Sequence, residues 1–396
     1  MFAGLSRSLR EKKIQVRRAL LPRARRPDDV VRQGGPVVIA GTFQTANGIG
    51  RAARSCFEAL KQEGLEPIAV DLSAIFNQVD VPSCVPLSAL PPLGIPGTLI
   101  LCANPPEVER ALYALGFRRW HNWKIIGAWA WELPVAPPEW SRQAEMMSEI
   151  WAPSDFVREA FEKSFATRVC TVPHYMADAV NNPETPPPAP RHNETLRFVT
   201  LADGRSSLER KNVIGAIRMF SQAFDGGQDV SLIVKCRNLQ MFSAYRNDIV
   251  ELLQQDSRIR LVDQTLARKE HDALLRECDV LLSCHRAEGF GVHLAEAMAA
   301  GRTAVATGWS GNLQFMNDAN SYLLPYSLKP VRDSSGIYTE LADTFWADVD
   351  LAEGIRTLRR IHDNPDERLE IGYRAQLDIA RNLGSAVYRL ALQSGS

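Results

Sequence analysis

Residues 281–312 read LLSCHRAEGFGVHLAEAMAAGRTAVATGWSGN, and this stretch decides the predicted fold. The apolar run Asp279–Cys284 predicts a buried strand, and the composition up to Ala300 predicts a helix that stops at Gly301. Between them, the turn Gly289–Gly291 would present backbone N–H groups and the positive end of the helix dipole to a ligand. A turn of this kind suits a diphosphate.

Two carboxylates frame this turn. Glu288 lies in the loop before the helix and Glu296 lies inside the helix, so the spacing is Glu-x7-Glu with Gly-Phe-Gly within it. An extended ligand could meet Glu288 at its sugar end and Glu296 at its ribose end. This combination is far more specific than an isolated glycine motif.

The stretch resembles the donor-site signature of the retaining glycosyltransferases of family 4, which use nucleotide-activated sugars. Residues 198–212, FVTLADGRSSLERKN, resemble the first strand and basic loop of that family's C-terminal domain. Residues 125–154, IIGAWAWELPVAPPEWSRQAEMMSEIWAPS, are similar to the N-terminal domain of its bacterial polysaccharide branch. The resemblance covers most of residues 35–385. It implies an α/β GT-B fold, with two Rossmann-like doubly wound parallel-sheet domains and a cleft between them.

Composition divides the chain into five predicted parts. They are a basic N-terminal arm (1–34), an N-terminal acceptor-side domain (35–180), a Pro-rich linker (181–195), a C-terminal nucleotide-sugar-binding domain (196–364) and a C-terminal helix (365–396). In this family the last helix often crosses back onto the first domain. In the C-terminal domain, strands near 196–202, 230–236, 258–264, 279–284 and 303–307 alternate with helices near 212–224, 266–278 and 292–300. This alternation predicts a parallel sheet with helices on both faces.

The resemblance also implies roles for individual residues. The family clamps the donor phosphates with an Arg and a Lys, which map onto Arg205 and Lys211. Their gap departs from the common pattern by one residue and Asn212 stands where Gly is usual, so Arg210 remains the alternate second cation. Glu288 would orient the sugar and, with Arg205 and Lys211, completes the predicted catalytic set. The predicted donor-binding residues are Gly48, Gly50, Arg210, Arg286, Gly289, Phe290, Gly291, Glu296, Ser310, Gly311 and Asn312.

The family's usual mechanism is a front-face reaction in which the leaving phosphate takes the acceptor proton, so no general base is assigned. The expected donor is a nucleoside diphosphate sugar and the expected acceptor is a glycan or a lipid-linked glycan. No cofactor and no metal are expected. Asp348-Val349-Asp350 matches a metal-binding pattern of another glycosyltransferase fold, but its position before a helical run favours a helix cap.

Tryptophans are concentrated in the first half of the chain, at Trp120, Trp123, Trp129, Trp131, Trp140 and Trp151. Aromatic faces suit the apolar faces of sugar rings, although most of these side chains are expected in the core. Trp129, Trp131 and the neighbouring Glu132 are the predicted acceptor-binding residues.

Two other functions stay open. Gly48-Ile49-Gly50-Arg51-Ala52-Ala53 fits G-x-G-x-x-A, with Asp71 about twenty residues later, as in NAD-dependent dehydrogenases. The polar loop Thr42–Asn47 separates these glycines from the strand, however, so we favour a loop that covers the donor, or a helix start with glycines in a tight turn. The second alternative is a non-catalytic nucleotide-sugar-binding scaffold of the same fold.

Composition bounds the partners and the compartment. The formal net charge is zero, which argues against a nucleic-acid-binding surface. The seven scattered cysteines form no Cys-x-x-Cys pair, and the sequence shows no membrane span or signal peptide, so we expect a cytoplasmic enzyme. Residues 1–26 interleave basic and apolar side chains, which predicts either binding to an anionic membrane, at its inner face, or a solvated tail.

Overall fold

The computed structural model describes residues 12, 15–16, 19–21, 35–116, 118–120, 123–176, 195–224, 226, 229–338, 341 and 344–394. The predicted linker 181–195, except Thr195, and all but six residues of the predicted arm 1–34 lie outside this part. The chain divides into two compact units. The first contains the described residues of Met1–Ala130, Val135–Tyr175 and Ser385–Ser396, and the second contains Trp131–Pro134 and the described residues of Met176–Gly384.

The first unit is built on a six-stranded parallel sheet. Its strands follow the order β2-β1-β3-β4-β5-β6, with β1 Val37–Gly41, β2 Ile68–Asp71, β3 Gly97–Cys102, β4 Trp123–Ala128, β5 Glu149–Ala152 and β6 Val169–Thr171. The helices between them are α1 Gly48–Gln62, α2 Ser73–Phe76, α3 Pro105–Ala114, α4 Ser141–Ala144 and α5 Asp155–Glu162. The central strands are short apolar runs, as expected for a sheet covered on both faces.

The second unit repeats this plan. Its six parallel strands follow the order β12-β11-β10-β7-β8-β9, with β7 Leu196–Asp203, β8 Val230–Arg237, β9 Ile259–Val262, β10 Val280–Ser283, β11 Thr303–Thr307 and β12 Tyr322–Leu324. Its helices are α6 Leu208–Lys211, α7 Val213–Ala223, α8 Ser243–Gln255, α9 Arg268–Glu277, α10 Val292–Ala299, α11 Leu351–Asp363 and α12 Pro365–Asn382. A separate antiparallel pair joins β13 Tyr326–Pro330 to β14 Phe345–Val349.

The predicted fold class is confirmed, because both sheets are parallel and carry helices between their strands. The second-unit elements agree with the predicted positions within a few residues. Sequence reasoning missed α6, α8, β12 and the β13–β14 pair. The stretch predicted as one C-terminal helix is instead two, α12 and α13 Ala386–Ser394, which are interrupted at Leu383–Ser385, where Gly384 disfavours helix.

The strand order determines where a ligand site is expected. In the second sheet β7 lies between β10 and β8, so the connections leave β7 and β10 in opposite directions along the sheet. In open parallel sheets, ligands bind beyond the carboxyl ends of the strands at such a reversal. The loops at this position follow β7, from Gly204 to Ser207, and β10, from Cys284 to Gly291.

Candidate functional site

A buried group of charges joins these two loops. Lys211, at the end of α6, places Nζ 2.5 Å from Glu288 Oε1, and Arg210 places Nη1 3.3 Å from Glu288 Oε2. Arg210 also donates to the carbonyls of Ala287 at 2.6 Å and Ser206 at 3.0 Å. Buried charges persist only when they are paired and hydrogen-bonded, so these contacts keep all three groups in place.

Glu288 stays ionised in this environment. Burial raises the pKa of its carboxyl, but the Lys211 ammonium and the Arg210 guanidinium outweigh burial and hold that pKa well below its usual range. Arg205, the other predicted cation, has an exposed side chain on the same loop, and its backbone N–H donates to Asp203. The structure thus brings Glu288 together with Lys211 and with the alternate cation, Arg210.

Two residues around α6 adopt the left-handed backbone region. Ser207 (φ 56°) precedes the helix, and its Oγ accepts the N–H of Arg210 at 3.1 Å. Asn212 (φ 49°) follows it and takes a conformation that Gly adopts without strain. Its Oδ1 accepts the N–H of Gly215 at 3.2 Å, and its Nδ2 donates to the carbonyl of Cys284 at 3.0 Å. Asn212 therefore caps α7 and joins it to the strand end that leads to Glu288.

The loop at Glu288 requires glycine at two positions that are in contact with each other, Gly289 and Gly311. A Cβ at Gly289 would lie 2.6 Å from the carbonyl oxygen of Trp131, and one at Gly311 would lie 2.1 Å from the carbonyl oxygen of Gly289. The N–H of Gly311 donates to the Glu288 carbonyl at 2.8 Å, and the Ser310 hydroxyl accepts the Glu288 N–H at 2.9 Å. Ser310 (φ 82°, ψ −150°) adopts a backbone region used almost only by glycine. The predicted Ser310 and Gly311 thus hold the loop that carries Glu288.

A buried histidine, His285, joins the segment of Glu288 to the segment of Ser310. Asn312 Nδ2 donates to the Thr307 carbonyl at 3.1 Å, so its Oδ1 faces His285 Nε2, 3.1 Å away. His285 Nε2 is therefore the protonated nitrogen, and Nδ1, 3.0 Å from Ser283 Oγ, accepts. Burial lowers the pKa of His285 to about 4. Asn312 is itself fully buried, so the structure gives it a supporting position for the loop.

Glu132 and Trp131, two of the predicted acceptor residues, lie in the second unit beside this group. Glu132 Oε1 is 3.9 Å from Arg210 Nη2, and the Trp131 backbone contacts Gly289. The Tyr338 hydroxyl donates to Glu132 Oε2 at 2.9 Å. Sequence reasoning missed Tyr338, which follows an unremarkable polar segment far along the chain.

Trp129, the third predicted acceptor residue, lies in the core of the first unit. Its side chain is 1% exposed and forms edge-on contacts with Trp140, Phe161 and Phe165. This burial corrects the sequence prediction, because no face of the ring is open to a sugar. The other five tryptophans of this group are buried too, as expected for most of them: Trp120, Trp123, Trp131, Trp140 and Trp151.

Other predicted donor residues have protein partners. The Arg286 guanidinium contacts Asp348 through Nε at 3.1 Å and Nη2 at 3.0 Å, and it lies over the Trp346 ring. These contacts occupy the group that the sequence assigned to a diphosphate. The Phe290 ring is buried 4.9 Å from the Phe315 ring, so this side chain belongs to the core. Donor binding by Arg286 and by Phe290 stays a prediction.

Glu296 lies in α10 and contacts a cation from α9. Its Oε1 is 2.8 Å from Arg268 Nη1, and its Oε2 is 3.9 Å from His271 Nε2. Arg268 also binds Asp272 at 2.8 Å. A ribose that reached Glu296 would have to share or displace these contacts.

The predicted glycines Gly48 and Gly50 lie in the first turn of α1, after the Thr42–Asn47 loop. Asn47 caps this helix by accepting the Gly50 N–H at 2.8 Å. A Cβ at Gly50 would lie 2.3 Å from Thr45 Oγ1, whereas nothing lies within 4 Å of one at Gly48. Close packing of the loop therefore accounts for Gly50, and open space surrounds Gly48.

The Asp348–Asp350 pattern divides into two structural roles. Asp350 caps α11, accepting the Glu353 N–H at 3.0 Å, which confirms the predicted cap. Asp348 pairs with Arg286 and Lys329. Within the described ranges, no group of three or more His, Cys, Asp or Glu side chains is arranged to hold a metal, and no helix has the length and apolar character needed to cross a membrane. All seven cysteines are free.

Comparison with known proteins supports the fold of the whole chain and matches one segment of it to a family. Residues 198–333 match the model of the family described as Glycosyl transferases group 1, whereas no curated protein matches the sequence. Three solved structures are similar in fold: a variant of S. aureus TarM in complex with Fondaparinux, alpha-GlcNAc-glycerol and UDP, Anabaena HepE in complex with UDP and glucose, and sucrose-phosphate synthase from Thermosynechococcus elongatus.

These likenesses are distant in sequence. TarM is 12% identical with a TM-score of 0.55 over 75% of this chain, which spans only 55% of the TarM chain. HepE is 12% identical and the synthase 14%, each with a TM-score of 0.59 over 91% of this chain and with 99% and 98% of their own chains covered. Together with the two parallel six-stranded sheets, they show the GT-B fold. The family match itself covers residues 198–333, which contain the β7 and β10 loops of the site.

Proposed function

We propose that this protein is a retaining glycosyltransferase of family 4 that moves a sugar from a nucleoside diphosphate donor to a glycan or lipid-linked glycan in bacterial polysaccharide synthesis. The UDP complexes of TarM and HepE support a uridine donor. Retention rests on the resemblance of the Glu288–Glu296 signature to that of family 4.

One observation carries the proposal. Glu288 is buried and ionised between Lys211 and Arg210, at the strand-order reversal of the matched segment. A structural ion pair could sit anywhere on the unit, but this group lies where open parallel sheets bind ligands. The reaction has to stabilise a departing diphosphate and a developing oxocarbenium ion on one face of the sugar, and fixed charges of both signs serve that need.

The same group offers hydrogen-bond donors to a diphosphate. The Lys211 ammonium has three N–H donors, and its contact with Glu288 uses one. Helix α10 begins directly after the Gly289–Gly291 turn, so its first N–H groups and its dipole add positive potential there. These groups support a mechanism that needs no divalent metal.

Two polar atoms at this site have no protein partner among the described residues. They are Arg210 Nε and His293 Nε2, and both are buried. Burial lowers the pKa of His293 to about 3, so its ring is neutral near neutral pH. A buried polar atom without a hydrogen bond is costly, so a bound donor that supplied partners would recover this free energy.

The direct test is turnover. The protein is incubated with UDP-, GDP- and ADP-sugars and a glycan acceptor, and release of the nucleoside diphosphate is measured with and without a chelator. We expect release from one donor class, unchanged by chelator, and a product whose anomeric proton coupling matches that of the donor. An inverted product would overturn retention, and activity lost to chelator and restored by manganese would overturn metal independence.

Glu288→Gln supplies the matched variant, since it keeps the size of the side chain and removes the charge. We expect it to lower turnover by roughly two orders of magnitude or more. Glu370→Gln, on an exposed face of α12, is the control and should behave like the wild type. A wild-type protein that shows a thermal shift with a nucleotide sugar but never releases nucleoside diphosphate would instead identify a binding scaffold.

A further inference from the structure

The segment Asp333–Tyr338, here named the 333–338 loop, lies between β13 and β14. Its first residue, Asp333, attaches it to the loop that carries Arg210 and Lys211. The Ser207 hydroxyl donates to Asp333 Oδ1 at 2.6 Å. The other carboxylate oxygen accepts from the Ser335 hydroxyl at 2.6 Å and from the Ile337 N–H at 3.0 Å. Asp333 thus folds the loop on itself and attaches it to the residue that caps α6.

The last residue of the loop forms a second attachment. Tyr338 is 3% exposed, and its ring lies 5.4 Å from that of Trp131 and 6.5 Å from that of Trp346. Its hydroxyl donates to Glu132 Oε2 at 2.9 Å. Burial raises the pKa of Tyr338 well above its usual value, so the hydroxyl keeps the proton that it donates.

Glu132 carries this attachment to Arg210. Its Oε1 lies 3.9 Å from Arg210 Nη2, which also donates to the Ser206 carbonyl. A carboxylate accepts several hydrogen bonds and can rotate between them. Because Tyr338 fixes one oxygen, the other stays directed at the guanidinium that pairs with Glu288.

We propose that Tyr338 is a positioning residue that acts through Glu132 to hold the Arg210 guanidinium against Glu288. The proposal rests on the proposed transfer reaction. Arg210 already has carbonyl partners at Ala287 and Ser206, so Glu132 and Tyr338 are not needed to keep it buried. Glu132 and Tyr338 instead fix the orientation of the Arg210 guanidinium. Such orientation matters because small displacements of a charged group from the reacting atoms reduce the rate steeply.

The test compares Tyr338→Phe, which removes only the hydroxyl, with the wild type. We expect kcat to fall roughly ten- to a hundredfold while the donor KM stays within about twofold, because the proposed role of Tyr338 is to position Arg210 and not to bind the donor. Tyr388→Phe, which removes a buried hydroxyl near His174 in the first unit, should leave kcat unchanged. The thermal midpoints of both variants are measured alongside.

A double-mutant cycle with Glu132→Gln tests the route. If Tyr338 acts through Glu132, the double variant should be no slower than the slower single variant. Losses that multiply, a Tyr338→Phe enzyme with normal kcat, or a loss of kcat that follows a lowered thermal midpoint and disappears on cooling would each overturn the inference. A wild-type protein that turns over no donor would remove the proposed function, and this inference with it.

Discussion

At the scale of single residues, the site depends on how strongly each charge is held. Lys211 and Arg210 are tied to a buried carboxylate, whereas Arg205 lies exposed on the same loop. Electrostatic interactions are several times stronger at a buried site than in water. Lys211 and Arg210 can therefore stabilise a transition state more strongly than Arg205 can, although all three lie within seven positions of one another.

This difference gives a prediction for the cations. Lys211→Met keeps the aliphatic stem and removes the charge, and we expect kcat/KM to fall by roughly two to four orders of magnitude. Arg205→Met should cost clearly less, because its side chain is exposed and water screens charges at the surface. Steady-state kinetics of the two variants decide the matter. If Arg205→Met is as slow as Lys211→Met, Arg205 belongs to the phosphate site, as its position in the sequence motif suggests.

His285 gives a prediction for acid stability. Its pKa is lowered from 6.5 to about 4 in the folded protein, so the unfolded chain binds more protons between these pH values. The free energy of unfolding should therefore fall as the pH falls through this window, by up to about 3 kcal/mol from this residue. Urea unfolding at a series of pH values should show a shallower decline for His285→Gln than for the wild type. Parallel declines would contradict the buried neutral histidine.

At the scale of elements, helix ends carry the site. The short α6 begins at Ser207 and ends at Asn212, both with positive φ, so Arg210 and Lys211 lie in a single helical turn between two constrained residues. Asn212 then starts α7 and bonds to the end of β10. The position of both cations relative to Glu288 follows from these local bonds.

Asn212 offers a matched pair of substitutions. Both Asn212→Gly and Asn212→Ala lose the side-chain cap of α7 and the hydrogen bond to Cys284. Gly adopts a positive φ without strain, whereas Ala adds backbone strain at this position. We expect both variants to be less stable than the wild type, with Ala the less stable of the two by about 1 kcal/mol. Denaturant unfolding measures the difference. An Ala variant as stable as the Gly variant would show that the left-handed backbone at this position carries no cost.

The elements also show what the sequence could predict. Lys211, Arg210 and Glu288 lie in motifs whose spacing is local, and the structure brings them together. Trp129 and Trp131 are only two positions apart, yet Trp129 is in the core of the first unit and Trp131 is beside Gly289. Tyr338 and Glu132 are separated by 206 positions, and no local pattern encodes such a pair. Packing between residues that are distant in sequence decides both cases, and the spacing of apolar residues along the chain carries no information about it.

At the scale of the whole molecule, the chain does not follow a simple division into halves. The first unit receives α13 from the far end of the sequence, where Arg389 pairs with Glu63 at 2.7 Å and the Tyr388 ring lies 5.9 Å from that of Trp151. The second unit receives Trp131–Pro134 from the first part of the sequence. Both units therefore require distant segments of the chain to be complete.

Charge is balanced over the whole chain but not along it. Nine of the Lys and Arg side chains lie within residues 1–26, against the single acidic residue Glu11, and apolar side chains alternate with them. Each basic side chain close to an anionic bilayer contributes about 1 kcal/mol to binding. This composition is that of a segment that binds an anionic membrane surface or of a solvated tail, and the proposed lipid-linked acceptor would be held at such a surface.

We therefore predict that residues 1–33 direct the protein to anionic membranes. In vesicle flotation, the full chain should float with vesicles containing anionic lipid and not with neutral ones, and a chain beginning at Gly34 should lose this binding. High salt should have the same effect as the truncation, since it screens the charges. A full-length control in which the arm's Lys and Arg are replaced by Gln separates charge from chain length: it should fail to float while retaining turnover of a soluble acceptor. If the truncated chain floats as well as the full chain, the arm is a solvated tail.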